Sequence, residues 1–272
     1  MGSVIAPERA FASDADGALP DHVSFSQLDL MIRCPEAWRR RYLMGQRGTS
    51  SPALAIGSSV HAGIAAMYEQ LRTNPKASKQ KLRDTAVQTA ANTLADIETR
   101  DSLTLDVEAD ETTALLEVYA AQRPTHVKPV AIEKPITVSL PDSDISLIGY
   151  VDCEAEDSLI EIKTSSRKIT VPTGAWKVQA WLYQAAIPKP VEWHVLVKTK
   201  TPILITSAAL AVPYQGQVSR KAVMLASATL ERIHKLYDQR GPHEEWPTEG
   251  ILHPWACSTC DARSECSMGW KA

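Results

Sequence analysis

The sequence predicts an α/β fold with a central mixed β-sheet flanked by helices, an N-terminal helical section and a cysteine-rich C-terminal segment. Three observations predict it. Helical patterns dominate up to residue 122, residues 130–164 alternate or run in β-branched side chains, and a helix, a strand pair and a long helix follow. With 272 residues, 44% of them hydrophobic and 22% charged, the chain has the length and composition of a globular protein with a buried core.

The overall charge and the missing motifs exclude several classes of protein. A formal net charge of −3 argues against a protein that coats nucleic acid through bulk charge. Contact with nucleic acid must therefore come from local basic patches or from metal ions held by acidic residues. We find no apolar stretch of membrane-spanning length, no signal-peptide pattern and no G-x-x-x-x-G-K-[ST] phosphate loop. These absences predict a cytoplasmic protein without an ATP motor of that kind.

The N-terminal part is predicted to be a flexible tail followed by helices. Residues 1–22 mix Ala, Asp, Gly and Pro without periodicity. A first helix is expected to begin near Ser26, where the sequence resembles a capping box, and a second begins at Pro35. A third is expected to open at Gly57, which places His61 in its first turn. This helix begins a helical section over residues 56–122. Two further helices are expected within that section, at residues 78–96 and 110–122.

Strands and helices then alternate, within a predicted single domain over residues 23–272. Five segments carry the alternation or the β-branched runs of strands: 130–140, 145–154, 159–164, 192–198 and 203–210. Two segments carry helical periodicity: 174–187 and 218–237. We expect residues 123–210 to form the sheet core.

Polar side chains on two neighbouring strands form the most informative part of the sequence. Asp152 ends the run Gly149-Tyr150-Val151-Asp152, and Glu161 and Lys163 bracket Ile162 on the next strand. Because side chains alternate across a strand, Glu161 and Lys163 share one face. Carboxylates on such a face suit Mg²⁺ or Mn²⁺, which prefer oxygen ligands and can activate water for phosphodiester cleavage. A solvated strand face with a cross-strand salt bridge is the alternative that this motif leaves open.

The turn between these strands leaves two registers open. A two-residue loop at Glu156-Asp157 puts Asp152 opposite Glu161. A loop at Asp157-Ser158 puts Asp152 opposite Lys163 instead. In either register, all three polar side chains lie on one face of the hairpin.

Further motifs surround this pair of strands. Gln179 and Tyr183 form an i, i+4 pair on one helix face, about sixteen residues after Lys163. His61 lies upstream on a helix, where a capping role is the alternative to metal binding. In this order, the set resembles the PD-(D/E)XK nuclease superfamily in its RecB-like branch, where a helix-borne His precedes G-x-x-D, E-x-K and Q-x-x-x-Y. The resemblance covers residues 26–266.

The resemblance implies a restriction-endonuclease-like fold and a deoxyribonuclease that depends on Mg²⁺ or Mn²⁺. The metal ligands that it implies are His61, Asp152, Glu161 and the backbone carbonyl of Ile162. The catalytic residues that it implies are Asp152, Glu161, Lys163, Gln179 and Tyr183. Within that set, Lys163 is the catalytic lysine, and Gln179 and Tyr183 position the substrate or the lysine. Glu133, in the preceding strand, is a candidate additional acid.

Four of the five cysteines have the pattern of a second metal centre. Cys257, Cys260 and Cys266 lie within ten positions, and Cys34 lies far upstream. Four thiolates can hold a zinc ion or an iron–sulfur cluster. Clustered cysteines in a chain without an export signal more often bind metal than form disulfides. Cys153 differs, since its place beside Asp152 predicts a buried thiol on the opposite face.

The one-plus-three arrangement of cysteines around a RecB-like core resembles the iron–sulfur nucleases, namely AddB-type subunits and CRISPR-associated single-strand exonucleases. It implies a [4Fe–4S] cluster on Cys34, Cys257, Cys260 and Cys266, with the segment 254–272 joined to Cys34. Zinc is the alternative occupant. The metal would close a loop of more than two hundred residues, which favours a structural role.

Basic and aromatic side chains add weaker signals. Seven basic residues are candidates for the path of a DNA backbone: Arg39, Arg40, Arg41, Arg167, Lys168, Lys198 and Lys200. For any single one, an ordinary surface role is the alternative. Trp176 and Trp181 flank Gln179, where aromatic rings stack on bases or, more often, fill the space between a helix and a sheet.

The sequence therefore predicts a metal-dependent DNA exonuclease that acts on single-stranded DNA or DNA ends, in recombination, repair or CRISPR adaptation. The expected partners are DNA, a helicase and CRISPR adaptation proteins, with no membrane. The expected location is the cytoplasm of a bacterial, archaeal or phage-infected cell. The alternative is a non-catalytic DNA- or protein-binding module of a helicase–nuclease or spacer-acquisition complex. That alternative is disfavoured because such a module has little reason to keep the whole polar set.

Overall fold

The computed structural model describes residues 17–46, 48, 50–122, 126–249, 257, 260, 263 and 266. Most of the predicted N-terminal tail, residues 1–16, and much of the segment 254–272 lie outside the described residues. In the described part of the chain, no helix has the length and hydropathy that a bilayer crossing requires.

The described elements alternate as the sequence predicts, with one extra short strand at the start. The helices are α1 (Phe25–Arg33), α2 (Pro35–Tyr42), α3 (Pro52–Thr73), α4 (Lys79–Asp101), α5 (Asp106–Gln122), α6 (Gly174–Ala186) and α7 (Gly216–Arg240). The strands are β1 (His22–Val23), β2 (Pro129–Ser139), β3 (Ser146–Ala155), β4 (Leu159–Ser165), β5 (Val191–Val197) and β6 (Ile203–Ile205).

The strands form one six-stranded mixed sheet in the order β1-β3-β4-β5-β6, and β2 also pairs with β3. The β3–β4 and β5–β6 pairs are antiparallel, whereas β1–β3 and β4–β5 are parallel. This arrangement confirms the predicted central mixed sheet with flanking helices.

α1 begins at Phe25, beside the predicted start at Ser26, but its capping residue, the start of α3 and the end of one strand were predicted wrongly. The side chain of Ser24, not Ser26, caps α1 by accepting a hydrogen bond from the backbone N–H of Gln27. α3 begins after Ser51, whose side chain caps it ahead of a proline. That start lies well before Gly57, because a capping serine followed by proline is a stronger start signal than glycine. The predicted strand 203–210 ends early, since Ala208–Leu210 form a 3₁₀ turn.

The chain divides into two compact units. The first unit contains residues 1–48, 137–149 and 217–272, and the second contains residues 49–136 and 150–216. The prediction of a single domain over residues 23–272, with the section boundaries given above, stays a prediction.

The first unit is held together by an aromatic core and a buried ion network. Trp38 of α2 stacks on Trp246, with 5.6 Å between the ring centroids. Glu36 accepts hydrogen bonds from the guanidinium groups of Arg39 and Arg40 and from the backbone N–H of Trp246. Burial alone would raise the pKa of Glu36, but these hydrogen bonds lower it. The network therefore joins α2 to the segment that follows α7.

The second unit packs helices on both faces of its strands. On one face, α3, α4 and α5 share a buried cluster with Cys153, Ile160 and Ile162. Because α3 carries Ile56, Val60 and Ile64 four residues apart, it presents a continuous apolar stripe to the strands. On the other face, α6 packs against Leu159 and its neighbours on β5. The odd and even residues of β4 therefore face different helices.

Candidate active site

His61 and Asp152 make direct contact. His61 lies in the third turn of α3 rather than the predicted first turn, because α3 begins at Pro52. Its Nδ1 lies 3.1 Å from Asp152 Oδ1. Burial would lower the pKa of His61, but the charge and the hydrogen bond of Asp152 raise it. The helix thus places an imidazole against the carboxylate at the end of the G-x-x-D motif.

The described ladder between β3 and β4 ends beside Asp152. Their ladder pairs Cys153 with Ile160 and Glu154 with Leu159, which is the register of the two-residue loop. Beyond that ladder, the Ile162 N–H donates to Asp152 Oδ2 at 2.7 Å, so a side chain takes the place of a strand carbonyl. The N–H and C=O of one strand residue point the same way. The Ile162 carbonyl therefore also points toward the side where Asp152 lies.

Glu161 connects the lysine to α6. Its Oε1 accepts hydrogen bonds from Lys163 Nζ at 2.6 Å and from Gln179 Nε2 at 2.8 Å. Gln179 Nε2 also donates to the hydroxyl of Tyr183 at 2.7 Å. The i, i+4 spacing of Gln179 and Tyr183 puts both on the face of α6 that meets β4. Glu161 Oε2 is buried and has no hydrogen-bond partner in the described part of the chain.

The carboxylates at this site are electrostatically crowded. Burial, and then the charge of Asp152, raise the pKa of both Glu161 and Glu133 to about 7. Burial would also raise the pKa of Asp152, but His61, Lys163 and the Ile162 N–H lower it. Such a site gathers more acidic groups than its basic groups balance, and either protonation or a bound cation would relieve the repulsion.

Glu133 belongs to the same electrostatic cluster, since Asp152, His61 and Glu161 all affect its pKa. Its backbone has a φ of +46°, within strand β2. A non-glycine residue rarely adopts the left-handed region, and the cost is of order 1–3 kcal/mol. The backbone is thus locally strained where the extra acid meets the site.

The four cysteines of the predicted second centre form no disulfide among the described residues, and each is half-buried. Cys34 lies between α1 and α2. Burial, and then Cys34 and Cys266, raise the pKa of Cys257, so three of the thiols lie near one another. Among the described residues, no three Cys, His, Asp or Glu side chains converge into a set that could hold a metal ion. The described geometry therefore gives proximity but not a formed metal site.

Comparison with known families places this site in context. The sequence profile of the PD-(D/E)XK nuclease superfamily matches residues 22–267. The chain belongs to the PD-(D/E)XK nuclease superfamily. Membership implies a nuclease that depends on a divalent metal such as Mg²⁺ or Mn²⁺. The RecB-like branch and the iron–sulfur type are finer assignments than this match.

Two solved structures that are similar to this PD-(D/E)XK protein are distant from it in sequence. A crystal structure from Eubacterium rectale, named "Putative exonuclease", is similar with a TM-score of 0.56 and 12% identity, over 86% of each chain. The crystal structure of SSO0001 is similar with a TM-score of 0.44 and 12% identity, over 93% of this chain and 90% of that one. No curated protein matches the sequence.

The structure gathers the predicted site residues of this PD-(D/E)XK protein in its second unit. These are His61, Glu133, Asp152, Glu161, Ile162, Lys163, Gln179 and Tyr183. Their roles as ligands and catalysts stay predictions. Cys153 is fully buried, as predicted, and burial raises its pKa to about 12.

Sequence reasoning missed one residue at the site, Trp193. It pairs with Glu161 in the parallel β4–β5 register, and its ring centroid lies 5.4 Å from Lys163 Nζ. It also stacks on Trp176, with 4.9 Å between the centroids. Cation–π attraction at this distance favours the charged lysine. Trp193 could be identified only from the register between β4 and β5. The two strands are parallel and joined by a long connection, so no local turn in the sequence sets that register.

Proposed function

We propose that this chain is a DNA exonuclease that uses Mg²⁺ or Mn²⁺ to hydrolyse phosphodiester bonds in single-stranded DNA or at DNA ends. The observation that carries the proposal is Glu161 Oε2, which is buried near a second carboxylate and has no hydrogen-bond partner among the described residues. A buried carboxylate oxygen normally has a hydrogen-bond partner. An oxygen without one, in a crowd of acids, fits a metal ligand better than a structural salt bridge.

The acids and the histidine of this site do not converge as a formed metal set in the described part of the chain, but their donor types fit a hard divalent cation. Asp152, Glu161 and the Ile162 carbonyl offer oxygen, and His61 adds one ring nitrogen, which transition ions such as Mn²⁺ accept. These four residues would hold the ion. When bound, the ion would supply Lewis-acid stabilisation of the phosphate charge and lower the pKa of an attacking water.

The chain's own residues would then position the reacting groups. Lys163 is protonated and held by Glu161 Oε1, so it can neutralise charge that develops on the scissile phosphate. Gln179 holds the same oxygen of Glu161 through its amide, and Tyr183 in turn anchors Gln179. Burial of this chain of contacts fixes the direction of the lysine.

We further propose the RecB-like, iron–sulfur type for this nuclease, with a [4Fe–4S] cluster on Cys34, Cys257, Cys260 and Cys266. The thiol chemistry fits, because none of the four forms a disulfide among the described residues, and burial, together with Cys34 and Cys266, raises the pKa of Cys257. Visible absorption together with iron, sulfide and zinc analysis of the purified protein tests this. Iron and sulfide that are lost in Cys34→Ser but kept in Cys153→Ala support the cluster. Zinc in their place assigns the alternative, and no bound metal contradicts both.

Digestion of end-labelled single-stranded DNA with Mn²⁺ tests the nuclease. Wild type is expected to shorten the strand from an end, and Lys163→Ala to lose at least about 100-fold of that activity. Lys79→Ala, an exposed lysine on α4, serves as the matched control and should retain full activity. Equal cleavage by all three proteins would assign the activity to a contaminant.

Substrates of different topology then define the mode of action. An exonuclease should degrade linear single strands and leave closed single-stranded circles intact. Cleavage of the circles would contradict end dependence. If the metal-loaded wild type binds DNA but leaves every substrate intact, the chain is instead a binding module. Co-purification with a helicase or with CRISPR adaptation proteins would then identify the complex that it serves.

A further inference from the structure

The charge along the chain is strongly uneven. Between residues 162 and 230 the sequence carries nine Lys or Arg residues and a single acid, Glu192. The chain as a whole has a formal net charge of −3, so the remainder is acidic. A long basic tract in an acidic protein is the local patch that contact with a polyanion requires.

The fold brings four of these cations to one edge of the sheet. β4 and β5 are parallel, so their carboxyl ends coincide, with Ser165 opposite Val197. The Lys198 N–H donates to the Ser165 carbonyl at 2.7 Å. The Arg167 N–H donates to the Ser165 hydroxyl at 3.1 Å. Arg167 and Lys168 therefore leave β4 beside the point where Lys198 leaves β5.

These cations are available for a ligand. Arg167, Lys168 and Lys200 are exposed, and Lys198 is half-buried. None of the four forms an ion pair with an acidic residue in the described parts of the chain. Two of the three other basic candidates differ, since Arg39 and Arg40 are buried and bonded to Glu36. The prediction that Arg39 and Arg40 line a DNA path is therefore wrong.

The basic edge adjoins the candidate active site. Lys163 lies two residues before Ser165 on β4, a distance of about 7 Å along the strand. The carboxyl ends of two neighbouring strands are about 5 Å apart. The basic edge therefore lies within a few residues of the candidate active site along β4.

We propose that Arg167, Lys168, Lys198 and Lys200 form a docking strip for the backbone of a single DNA strand that leads to Lys163. The proposal rests on the proposed nuclease function, which it extends by assigning the substrate path. The strip holds the strand by charge and reads no sequence, because lysine and arginine at this edge meet phosphates rather than bases.

The test measures binding separately from cleavage. Fluorescence anisotropy of a labelled single-stranded oligonucleotide is followed against salt concentration, with the full chain and no added divalent cation. Lys198→Ala/Lys200→Ala should reduce the slope of log affinity against log salt by about 1.4, since each single-strand phosphate contact contributes roughly 0.7. The dissociation constant should rise on the order of tenfold at 0.1 M salt.

A matched pair of lysines controls for general charge loss. Lys79→Ala/Lys81→Ala removes two exposed lysines with the same spacing on α4 and should leave both slope and affinity unchanged. Three outcomes would overturn the docking strip. These are an equal loss of DNA affinity in the two double variants, no loss of affinity in the Lys198→Ala/Lys200→Ala variant, and no DNA binding by wild type. A larger loss on duplex than on single strands would overturn the single-strand assignment. If the Lys198→Ala/Lys200→Ala variant shows the expected change in slope relative to wild type, but wild type never cleaves DNA, only the nuclease proposal is overturned.

Discussion

Glu161 is 3% exposed, and burial together with the charge of Asp152 raises its pKa from 4.5 to about 7. At neutral pH, ionisation of this side chain is therefore opposed by its surroundings, and one of its oxygens has no hydrogen-bond partner in the described structure. The same features make the side chain a good cation ligand. Stability of the metal-free protein and metal binding should then respond to this residue in opposite directions.

Glu161→Gln should raise the melting temperature of the metal-free protein by about 2–4 °C, the shift expected for roughly 1 kcal/mol. Because the folded-state pKa of Glu161 lies above the unfolded value, ionisation of this side chain destabilises the folded protein. This unfavourable contribution is absent below pH 4.5 and grows as the pH rises toward 7. The increase in melting temperature that Glu161→Gln produces should therefore be largest above pH 7. Thermal melting across this range, with and without Mn²⁺, measures it. Mn²⁺ should stabilise wild type and not the variant.

Glu154 provides the matched control for Glu161. It is also nearly buried, but it accepts hydrogen bonds from Lys134 and Lys189. Burial would raise its pKa, and the two lysines lower it. Glu154→Gln should thus lower the melting temperature at neutral pH, whether or not Mn²⁺ is present. If Glu161→Gln and Glu154→Gln both destabilise the metal-free protein, the idea that neighbouring acids make ionised Glu161 unfavourable is refuted.

At the scale of elements, the contact between α3 and α4 depends on one glycine. A Cβ added to Gly63 would lie 2.7 Å from the Ala86 carbonyl of α4 and 3.0 Å from Leu116 of α5. Such a distance forces backbone to move. At Gly57, on the same helix, an added Cβ would meet only Thr164 Oγ1, at 3.5 Å, which is an ordinary contact.

Gly63→Ala should therefore destabilise the protein by about 1–3 kcal/mol through overpacking. Gly57→Ala should be neutral or stabilising by up to about 1 kcal/mol, since alanine is the better helix former. Chemical denaturation of both variants beside wild type measures the difference. A stability gain for Gly63→Ala would mean that α3 and α4 are not packed this closely.

The ion network of α2 should make the first unit sensitive to acid. Glu36 has a lowered pKa, so its stabilising contribution is present above the unfolded value of 4.5 and is lost as the pH falls through the folded value. Glu36→Gln leaves the buried Arg39 without its carboxylate partner and should cost about 3–5 kcal/mol at pH 7. Melting curves from pH 7 to pH 3 should show the difference from wild type shrinking below pH 4.5. A constant difference across that range contradicts an ionic role.

At the scale of the whole molecule, the sequence predicted the sheet and its acidic site because both depend on short-range patterns. Alternation along β4 places Glu161 and Lys163 on one face whatever the rest of the chain does. The position of His61 within α3 was predicted wrongly, because a cap at Ser51 outweighed the glycine. Trp193 could not be predicted, because its contact with Lys163 depends on a parallel register between distant strands. Local patterns therefore predicted which polar side chains share a face, and long-range packing determined what surrounds them.

The two proposed metal centres lie in different units. Every proposed Mn²⁺ ligand, including His61 and Glu161, belongs to the second unit, and the four cysteines belong to the first. Cys34→Ser should then remove the cysteine-bound metal and lower the melting temperature by roughly 5 °C or more, because metal binding is coupled to folding. The Mn²⁺ affinity, measured by calorimetry, should change less than about threefold, since no ligand of that ion is altered. Cys153→Ala controls for loss of a thiol as such and should keep the full metal content. A large fall in Mn²⁺ affinity in Cys34→Ser alone would show that the cysteine centre acts on the nuclease site rather than on its own unit.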